Sequence, residues 1–435
     1  MGKIIITNDG DVIEESKRDF SKPCFLDRHK GGAMKNAKTL SFLHFLLFVL
    51  PLSAQEAQLL SPQKRELLLQ EQNRYESENE KLRNNWIAPL NLGASWGYDK
   101  SYLGDYGFSK NTSASITQDI FRSGGIEYQI EYADAKKRAD AMVLNSQRAA
   151  LNEEIFTSVL NYKKTLYQKE QSELTLKNQE IEIFIKQQLY DAGKADITEL
   201  NNALVAQSSQ LKSLVTYDYT LAKLKEDVAK ISDINPAEFA LPTLSLVQKE
   251  SFLQENISLS YEKLHLESLK GLHGVTKSGY LPSLSVNADV GYREYESKKY
   301  TNRDDGAYYG VGVALNIPLA YNAKATIQEA QATQMKQSAQ VADKQRALSA
   351  SYEQSIALIE SYRRYNEVST KNLSLYDGLI DAIKAGVDAG TKTGYDLQII
   401  KNTRAIEELN IKISEIDMQL ELAKLHFSQR VADGR

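Results

Sequence analysis

Four segments of the chain alternate between apolar and small or polar side chains, which is the pattern of β-strands with two different faces. The segments are 87–98, 112–121, 283–292 and 308–319, and the second is the weakest. Strands of about ten residues with an apolar outer face and a polar inner face are typical of transmembrane barrels. A half-buried soluble sheet produces the same alternation, so one such strand alone does not distinguish a membrane protein from a soluble one.

Large aromatic side chains occupy the apolar faces of these strands. In a barrel we expect them to form an aromatic girdle where lipid meets water. The predicted girdle residues are Trp96, Tyr98, Tyr292 and Tyr309. Four strands cannot close a barrel, because the smallest membrane barrels have about eight and an open edge in hydrocarbon leaves backbone groups unsatisfied. Several copies of the chain must therefore contribute strands to one barrel.

Long stretches without proline predict helices of unusual length. No proline occurs between 90 and 235 or after Pro318, and the stretch 126–192 also lacks glycine. A helix of that length spans roughly 100 Å at about 1.5 Å per residue, so it must pack against other long helices. The predicted long helices cover about 125–192, 196–232, 322–388 and 394–430.

The second helix of each pair carries apolar residues at seven-residue spacing, as in coiled coils. An ordinary helix-bundle core explains this spacing equally well when the strands are left aside. The two series are Leu214, Leu221 and Val228 with Tyr217, Leu224 and Ile231, and Ile399, Ile406, Ile413 and Leu420 with Leu409, Ile416 and Ala423.

The chain contains an internal duplication. The strand 90–98 aligns with 284–292 at an offset of 194 positions (284 − 90), and Asp191-Ala-Gly193 aligns with Asp388-Ala-Gly390 at 197 positions (388 − 191). Two landmarks that keep nearly the same offset predict a tandem repeat. We expect one repeat over 55–235 and a second over 236–435.

The N-terminal part has the composition of an export signal. An apolar run at 40–52 follows basic residues, and at about 13 residues it is too short to span a bilayer, although a membrane anchor is the alternative interpretation. We expect 34–54 to be a signal peptide and 1–33 to be a non-native upstream extension. The single cysteine, Cys24, lies in that extension. The exported chain would then carry no disulfide and no thiolate ligand.

Composition and motifs argue against nucleic-acid binding and catalysis. The formal net charge is −4, with 53 basic and 57 acidic residues, so no basic field predicts a nucleic-acid partner. His265 and His273 lack a nearby cysteine or patterned carboxylate, and surface histidines explain them better than a metal site. The segment 390–394 echoes a phosphate-binding loop, but the required glycine spacing is absent. We expect no cofactor and no enzymatic activity.

Three motifs stand at junctions between the predicted elements. They are Gln118-Asp-Ile-Phe-Arg-Ser-Gly-Gly125 between a strand and a helix, Gly279-Tyr-Leu-Pro-Ser-Leu284 at the entry to a strand, and Leu189-Tyr-Asp-Ala-Gly193 followed by Ile197-Thr-Glu-Leu200 at a helical turn. Each resembles the motif at the same place in the TolC-like outer-membrane efflux protein family. Each motif alone is weak, whereas the ordered and repeated set is specific.

The resemblance implies a mostly α fold with transmembrane β-strands. In such a homotrimer, three chains supply four strands each to a twelve-stranded β-barrel that continues into an α-helical barrel. The implied function is an outer-membrane exit duct of a tripartite efflux or type I secretion system, which reaches into the periplasm. The implied partners are outer-membrane lipid, a periplasmic membrane-fusion adaptor and, indirectly, an inner-membrane pump. A periplasmic coiled-coil adaptor or structural protein without a pore is the main alternative.

The resemblance also implies site residues at the two helical turns. A periplasmic gate is implied at Lys392, Asp396 and Asp388, although an exposed salt bridge between residues four apart on a helix is the plainer interpretation of Lys392 and Asp396. Ile399 stands where the type member of the family has a second acidic ring. The implied adaptor-docking residues are Tyr190, Gly193, Ile197, Thr198, Leu200, Gly390, Thr391 and Leu397.

Overall fold

A computed structural model describes residues 59–100, 106–297 and 305–429. The predicted signal peptide and the segment before it lie outside the described residues, as do the central parts of both loops that connect the strands.

Four strands form one antiparallel sheet in chain order. They are β1 (Asn91–Lys100), β2 (Tyr106–Phe121), β3 (Ser283–Ser297) and β4 (Gly306–Asn316). β2 begins six residues before the predicted start, because its first half, which contains Lys110 and several polar residues, continues to pair with β1. Backbone pairing does not depend on apolar side chains. Part of the segment predicted as a loop between these strands therefore forms paired β-strand.

The two faces of the sheet differ in chemistry and in exposure. Residues directly opposite one another share a face, and the register aligns Leu92, Ala114, Val290 and Tyr309 in one row. Along β4 the apolar residues are exposed, with Tyr309 at 87%, whereas Tyr308, Gly310 and Gly312 on the other face are half-buried. This alternation indicates a curved sheet whose convex face is apolar and whose concave face carries glycine and polar residues.

Seven helices are described alongside the sheet. They are α1 (Pro62–Arg83), α2 (Gly125–Asp191), α3 (Ile197–Ala229), α4 (Lys249–Glu255), α5 (Ile257–Ser278), α6 (Ala323–Asp388) and α7 (Gly394–Phe427). α2 has 67 residues and α6 has 66. At about 1.5 Å per residue each spans roughly 100 Å.

The helices form four parallel columns in the described part of the chain. α1 and α3 meet end to end where the Ser61 N–H donates to the Ile231 carbonyl (2.9 Å), and α5 and α7 meet where the Ile257 N–H donates to the Ser428 carbonyl (2.9 Å). α2 packs against both of these broken columns, and α6 packs against α5 and α7. The column order is α1/α3, α2, α5/α7, α6, with the first and last at the edges.

The core lies where the two helices of each broken column meet end to end. On one side of α2, Ile155 and Val159 are fully buried among residues of α1 and α3 such as Leu68 and Val228. On the other side, Phe156 packs against Phe427 with ring centroids 5.5 Å apart. Because the consecutive residues Ile155 and Phe156 of α2 face opposite clusters, this helix contributes to both.

Close packing joins α2 to α5 just below the sheet. Gly271 and Gly274 of α5 are buried, and a Cβ at Gly271 would lie 2.8 Å from the Tyr132 backbone nitrogen. A Cβ at Gly274 would lie 2.4 Å from Cγ of Tyr128. Small residues on this face of α5 therefore allow the two helices to approach at backbone contact.

The substitution Gly271→Ala is expected to destabilise the protein by about 1–3 kcal/mol, because the added methyl group overpacks a backbone contact. Gly279→Ala at the end of the same helix is the control, since its Cβ would make only ordinary contacts of 3.4 and 3.7 Å. Thermal unfolding of both variants, followed by circular dichroism at one scan rate, measures the difference. Equal unfolding temperatures for the two variants would contradict this account of the contact.

Candidate functional site

The two turns at the ends of the long helices are built alike. Gly193 follows α2 with φ 69°, and Gly390 follows α6 with φ 72°, a left-handed conformation that favours glycine. The Lys194 N–H donates to the Leu189 carbonyl and the Thr391 N–H to the Gly386 carbonyl, each at 2.8 Å. Both turns are Schellman motifs, which satisfy the last carbonyl groups of the preceding helix.

The helices that leave these turns are capped differently. Asp196 caps α3 by accepting a hydrogen bond from the Thr198 N–H (3.2 Å). Thr393 caps α7: its side chain accepts from the Asp396 N–H (3.2 Å), and the Asp396 carboxylate accepts from the Thr393 N–H (2.9 Å). This reciprocal capping box satisfies two otherwise free donors at the start of α7.

Asp396, a predicted gate residue, is therefore bonded within its own helix. Hydrogen bonds from the backbone and side chain of Thr393 hold the pKa of its carboxyl below the ordinary value, and Lys392 contributes through its charge. Lys392 lays its aliphatic stem over Gly386, where a Cβ would lie 2.8 Å from its Cγ. Asp388 is exposed as the last residue of α6. The gate assignment of these residues stays a prediction.

The first turn places its acidic residue in another contact. Glu199 stands 197 positions before Asp396 and forms an ion pair with Lys186 across the hairpin. The residue 197 positions after Lys186 is Ile383, which cannot form that pair. The first hairpin is thus joined across its two helices near the turn, whereas the acid of the second hairpin stabilises only α7.

The predicted docking residues differ in what they expose. Tyr190 and Ile197 are exposed, Ile197 at 52%, and Leu397 is half-buried. Leu200 is only 7% exposed and packs inside the hairpin. Its side chain is therefore not available to a partner while the hairpin keeps this packing. The remaining predicted docking residues, Gly193, Thr198, Gly390 and Thr391, are exposed at the turns.

A seam of polar contacts joins α2 to α7, and sequence reasoning missed it. The Lys164 Nζ lies 2.6 Å from the Asp417 carboxylate, and the Gln171 side chain donates to the Asn410 amide oxygen (2.7 Å). The signal was present in the chain, because Lys164, Gln171 and Asn178 repeat at seven-residue spacing. Such polar positions in a coiled coil specify partner and register.

Near the turns, this seam ends in an amide pair and an aromatic pair. The Asn402 side chain donates to the Asn178 amide oxygen (2.7 Å), and the rings of Phe184 and Tyr395 lie 5.3 Å apart. The two hairpins of one chain are therefore held together close to their tips.

The predicted girdle residues all lie exposed on the convex face of the sheet, and they are Trp96, Tyr98, Tyr292 and Tyr309. The ring of Tyr98 packs against those of Phe108 (centroids 4.9 Å apart) and Tyr106 (6.0 Å). Both residues lie in the segment that was predicted as a loop. The apolar rows from Leu284 to Tyr292 cover nine residues, or roughly 27 Å along the strand at about 3.4 Å per step. A tilted transmembrane β-strand needs about 9–11 residues, so the apolar face is close to the length that a bilayer requires.

The described residues contain no group of three or more His, Cys, Asp or Glu side chains that would hold a metal ion. The ring of His265 stacks on Tyr261 at 5.8 Å instead. In the described part of the chain, no helix combines the length and the apolar character that crossing a bilayer requires.

A family model described as outer membrane efflux protein matches residues 250–409. Over these residues the chain is similar to the outer membrane efflux protein family. This similarity confirms the resemblance drawn from the three motifs and the predicted location in the outer membrane. The match extends from α4 into α7 and includes α5, β3, β4 and α6.

A curated relative and several solved structures extend the comparison. Outer membrane protein TolC of Vibrio cholerae serotype O1 is 23% identical over 266 residues, which cover 56% of this chain and 59% of that protein. The match therefore spans less than two thirds of the relative. VceC of Vibrio cholerae superposes with a TM-score of 0.67 at 14% identity, over 85% of this chain and 94% of that one.

The CmeC outer membrane channel of Campylobacter jejuni gives a TM-score of 0.65 at 11% identity, over 87% of this chain and 85% of that one. The open state of the MtrE outer membrane channel of Neisseria gonorrhoeae gives 0.63 at 13% identity, over 86% of each chain. At such low identity these structures show a shared fold, and they confirm the predicted fold class of long helices with a β-sheet.

The variant Asp396→Ala is expected to accelerate amide hydrogen exchange at the start of α7, because it removes half of the capping box. A carboxyl group with a lowered pKa stabilises the fold above its ordinary pKa and loses that effect as the pH falls through the lowered value. The acceleration should therefore be present at neutral pH and diminish in acid.

Exchange measured by mass spectrometry on peptides that cover 391–400 tests this. Asp388→Ala, which removes a carboxylate from the unfavourable C-terminal end of α6, is the matched control and should leave the start of α7 unchanged. Equal exchange in wild type and Asp396→Ala at neutral pH would show that the cap has no role.

Proposed function

We propose that the chain is an exit duct that carries solutes passively through the outer membrane. The observation that carries the proposal is the sheet, which has an apolar convex face of bilayer height and two edges that are unpaired among the described residues. Such edges leave backbone groups without partners in lipid, so the sheet is complete only in a ring of copies.

Strand count and direction favour a trimer. β4 runs antiparallel to β1 within the meander, so β4 of one copy meets β1 of the next in antiparallel orientation. Two copies would give eight strands, whose interior is filled by side chains. Three copies give twelve strands, the smallest multiple of four that leaves a lumen.

The edge helices carry matching apolar stripes. On α3 the stripe is Leu204, Leu211, Val215 and Tyr219, and on α6 it is Leu358, Tyr365, Val368, Leu375 and Leu379, all exposed in the single chain. The stripes also match in height. Leu204 follows Gly193 by 11 positions (204 − 193), Leu379 precedes Gly390 by 11 (390 − 379), and Val215 and Val368 each lie 22 positions from their turn.

These stripes support the packing of α3 of one copy against α6 of the next, which closes the helices into a barrel below the sheet. The ring of sheets and the ring of helices then share one axis and one passage. The exposed turn residues at its far end are the proposed docking surface for a periplasmic membrane-fusion adaptor. An inner-membrane pump drives export through that adaptor, and small molecules or proteins are the cargo.

The proposed gate is the second hairpin. Its tip lacks the cross-hairpin ion pair that Glu199 and Lys186 make in the first hairpin. We assign Lys392, Asp396 and Asp388 to the closed mouth, where three copies bring their charges together, and opening separates the tips.

The substitution Val215→Asp is expected to abolish the trimer, because it buries a charge in the interface between copies. Val215 is 70% exposed in the single chain, and the neighbouring Thr216→Asp places the same charge beside the stripe as a control. Mass measurement of protein extracted from outer membrane with detergent, with and without heating, checks this. A water-soluble monomer that does not enter liposomes would overturn the proposed duct and favour a structural protein without a pore.

Single-channel conductance tests the gate. Asp396→Ala is expected to raise the open fraction or to weaken block by cations added on the side of the turns, because it removes a ring of charge from the mouth. Thr393→Ala breaks the same cap but keeps the carboxylate, and it should conduct as wild type does. Unchanged conductance and block in Asp396→Ala would remove the gate assignment, and equal changes in both variants would assign the effect to fraying of α7.

A further inference from the structure

The concave face of the sheet carries a polar and aromatic cluster near the end that lies away from the helices. Tyr308 of β4 lies over Gly291 of β3, where a Cβ would be 2.5 Å from its ring. The Tyr308 hydroxyl donates to the Asn111 amide oxygen (3.1 Å). This bond joins β4 to β2 across β3 and holds the Tyr308 ring against the concave face of the sheet.

Arg293 completes the cluster. Its guanidinium carbon lies 5.3 Å from the centroid of the Tyr308 ring, within the range of a cation–π interaction. The Arg293 residue is exposed and sits directly opposite Asn111 in the register. Within the described residues it has no carboxylate partner, in contrast to Lys110 on the convex face, which lies 3.5 Å from the Glu294 carboxylate.

The charge of Arg293 is also distinctive by position. By the alternation of the four strands, it is the one basic residue that the described part of the sheet places on the concave face. The Asp289 carboxylate on β3 lies over Gly310, and Asp305, next to the Gly306 that pairs with Arg293, accepts a hydrogen bond from the Tyr295 N–H (2.7 Å). Arg293 therefore presents a guanidinium that makes no ion pair within the described residues, beside the Tyr308 ring.

We propose that Arg293, Tyr308 and Asn111 form a binding station for aromatic anions in the barrel lumen. This inference rests on the proposed duct, because only a closed barrel turns the concave face into a lumen. A carboxylate or sulfonate on the solute receives the guanidinium donors, which are suited to such groups, and its ring stacks beside Tyr308. Three copies repeat the station around the outer end of the passage, where it contacts cargo that is leaving.

Block of single channels in planar bilayers tests the station with 2-naphthalenesulfonate added on the barrel side. Wild type should show reversible, concentration-dependent block. Arg293→Gln should raise the blocking concentration by about tenfold or more, because a charge-assisted contact is lost. Lys110→Gln removes the same charge at the adjacent position on the convex face. The channel of this variant should be blocked at the same probe concentration as wild type.

Two further measurements separate the contribution of the probe's charge from that of its aromatic ring. Methanesulfonate carries the same anionic group without a ring and should block more weakly, and Tyr308→Leu should reduce this difference between the probes. Equal block of wild type and Arg293→Gln by 2-naphthalenesulfonate would overturn the proposal, as would equal block by the two probes.

A failure of the proposed duct gives a different experimental result from a failure of the binding station. If wild type forms no channels, the proposed function fails, and calorimetric titration of 2-naphthalenesulfonate into the detergent-purified protein tests the station alone. Binding that Arg293→Gln abolishes and Lys110→Gln retains supports the station, and the absence of binding to wild type overturns it. Each variant is compared with wild type for heat-modifiable oligomers, so loss of folding is not mistaken for loss of binding.

Discussion

The backbone at the two edges of the sheet, which has no strand partner among the described residues, is the constraint from which the rest of the proposed architecture follows. A polar solvent satisfies an edge strand, whereas hydrocarbon leaves each free N–H and carbonyl at a cost of several kcal/mol. The convex face of this sheet is apolar, so in the proposed duct its edges lie in hydrocarbon, where water is absent. In that arrangement, association with other copies is part of folding and not a later addition.

In the proposed duct the helices must also close into a ring, below the ring of strands. Each of the four columns continues directly from a strand or returns to one, so closing the sheet brings the edge helices of neighbouring copies together. The exposed stripes on α3 and α6 lie at equal distances from their turns, which makes the two closures compatible. Polar contacts between α2 and α7 then hold the hairpins of one chain in register, since apolar heptads alone would tolerate a slip.

Much of this was readable from the chain. Alternation located the strands, and the absence of proline located the long helices. The outer half of β2 was missed because its ladder runs through charged residues, and pairing there depends on partners far away in sequence. The burial of Leu200 and the cap made by Asp396 were also hidden, because both depend on how a turn places the next helix. Periodicity identifies the apolar stripe of a helix but not the neighbour that covers it.

The central position of α2 has a consequence for biogenesis. Its bonds to α7 join residues far apart along the chain, and Lys164 precedes Asp417 by 253 positions. At a synthesis rate of about 5–20 residues per second, roughly 10–50 s separate the emergence of these two side chains. During that interval β3 and β4 emerge and can already pair with β2, whereas α2 still lacks its contacts with α7. The polar contacts between α2 and α7 therefore form only after nearly the whole chain has been made.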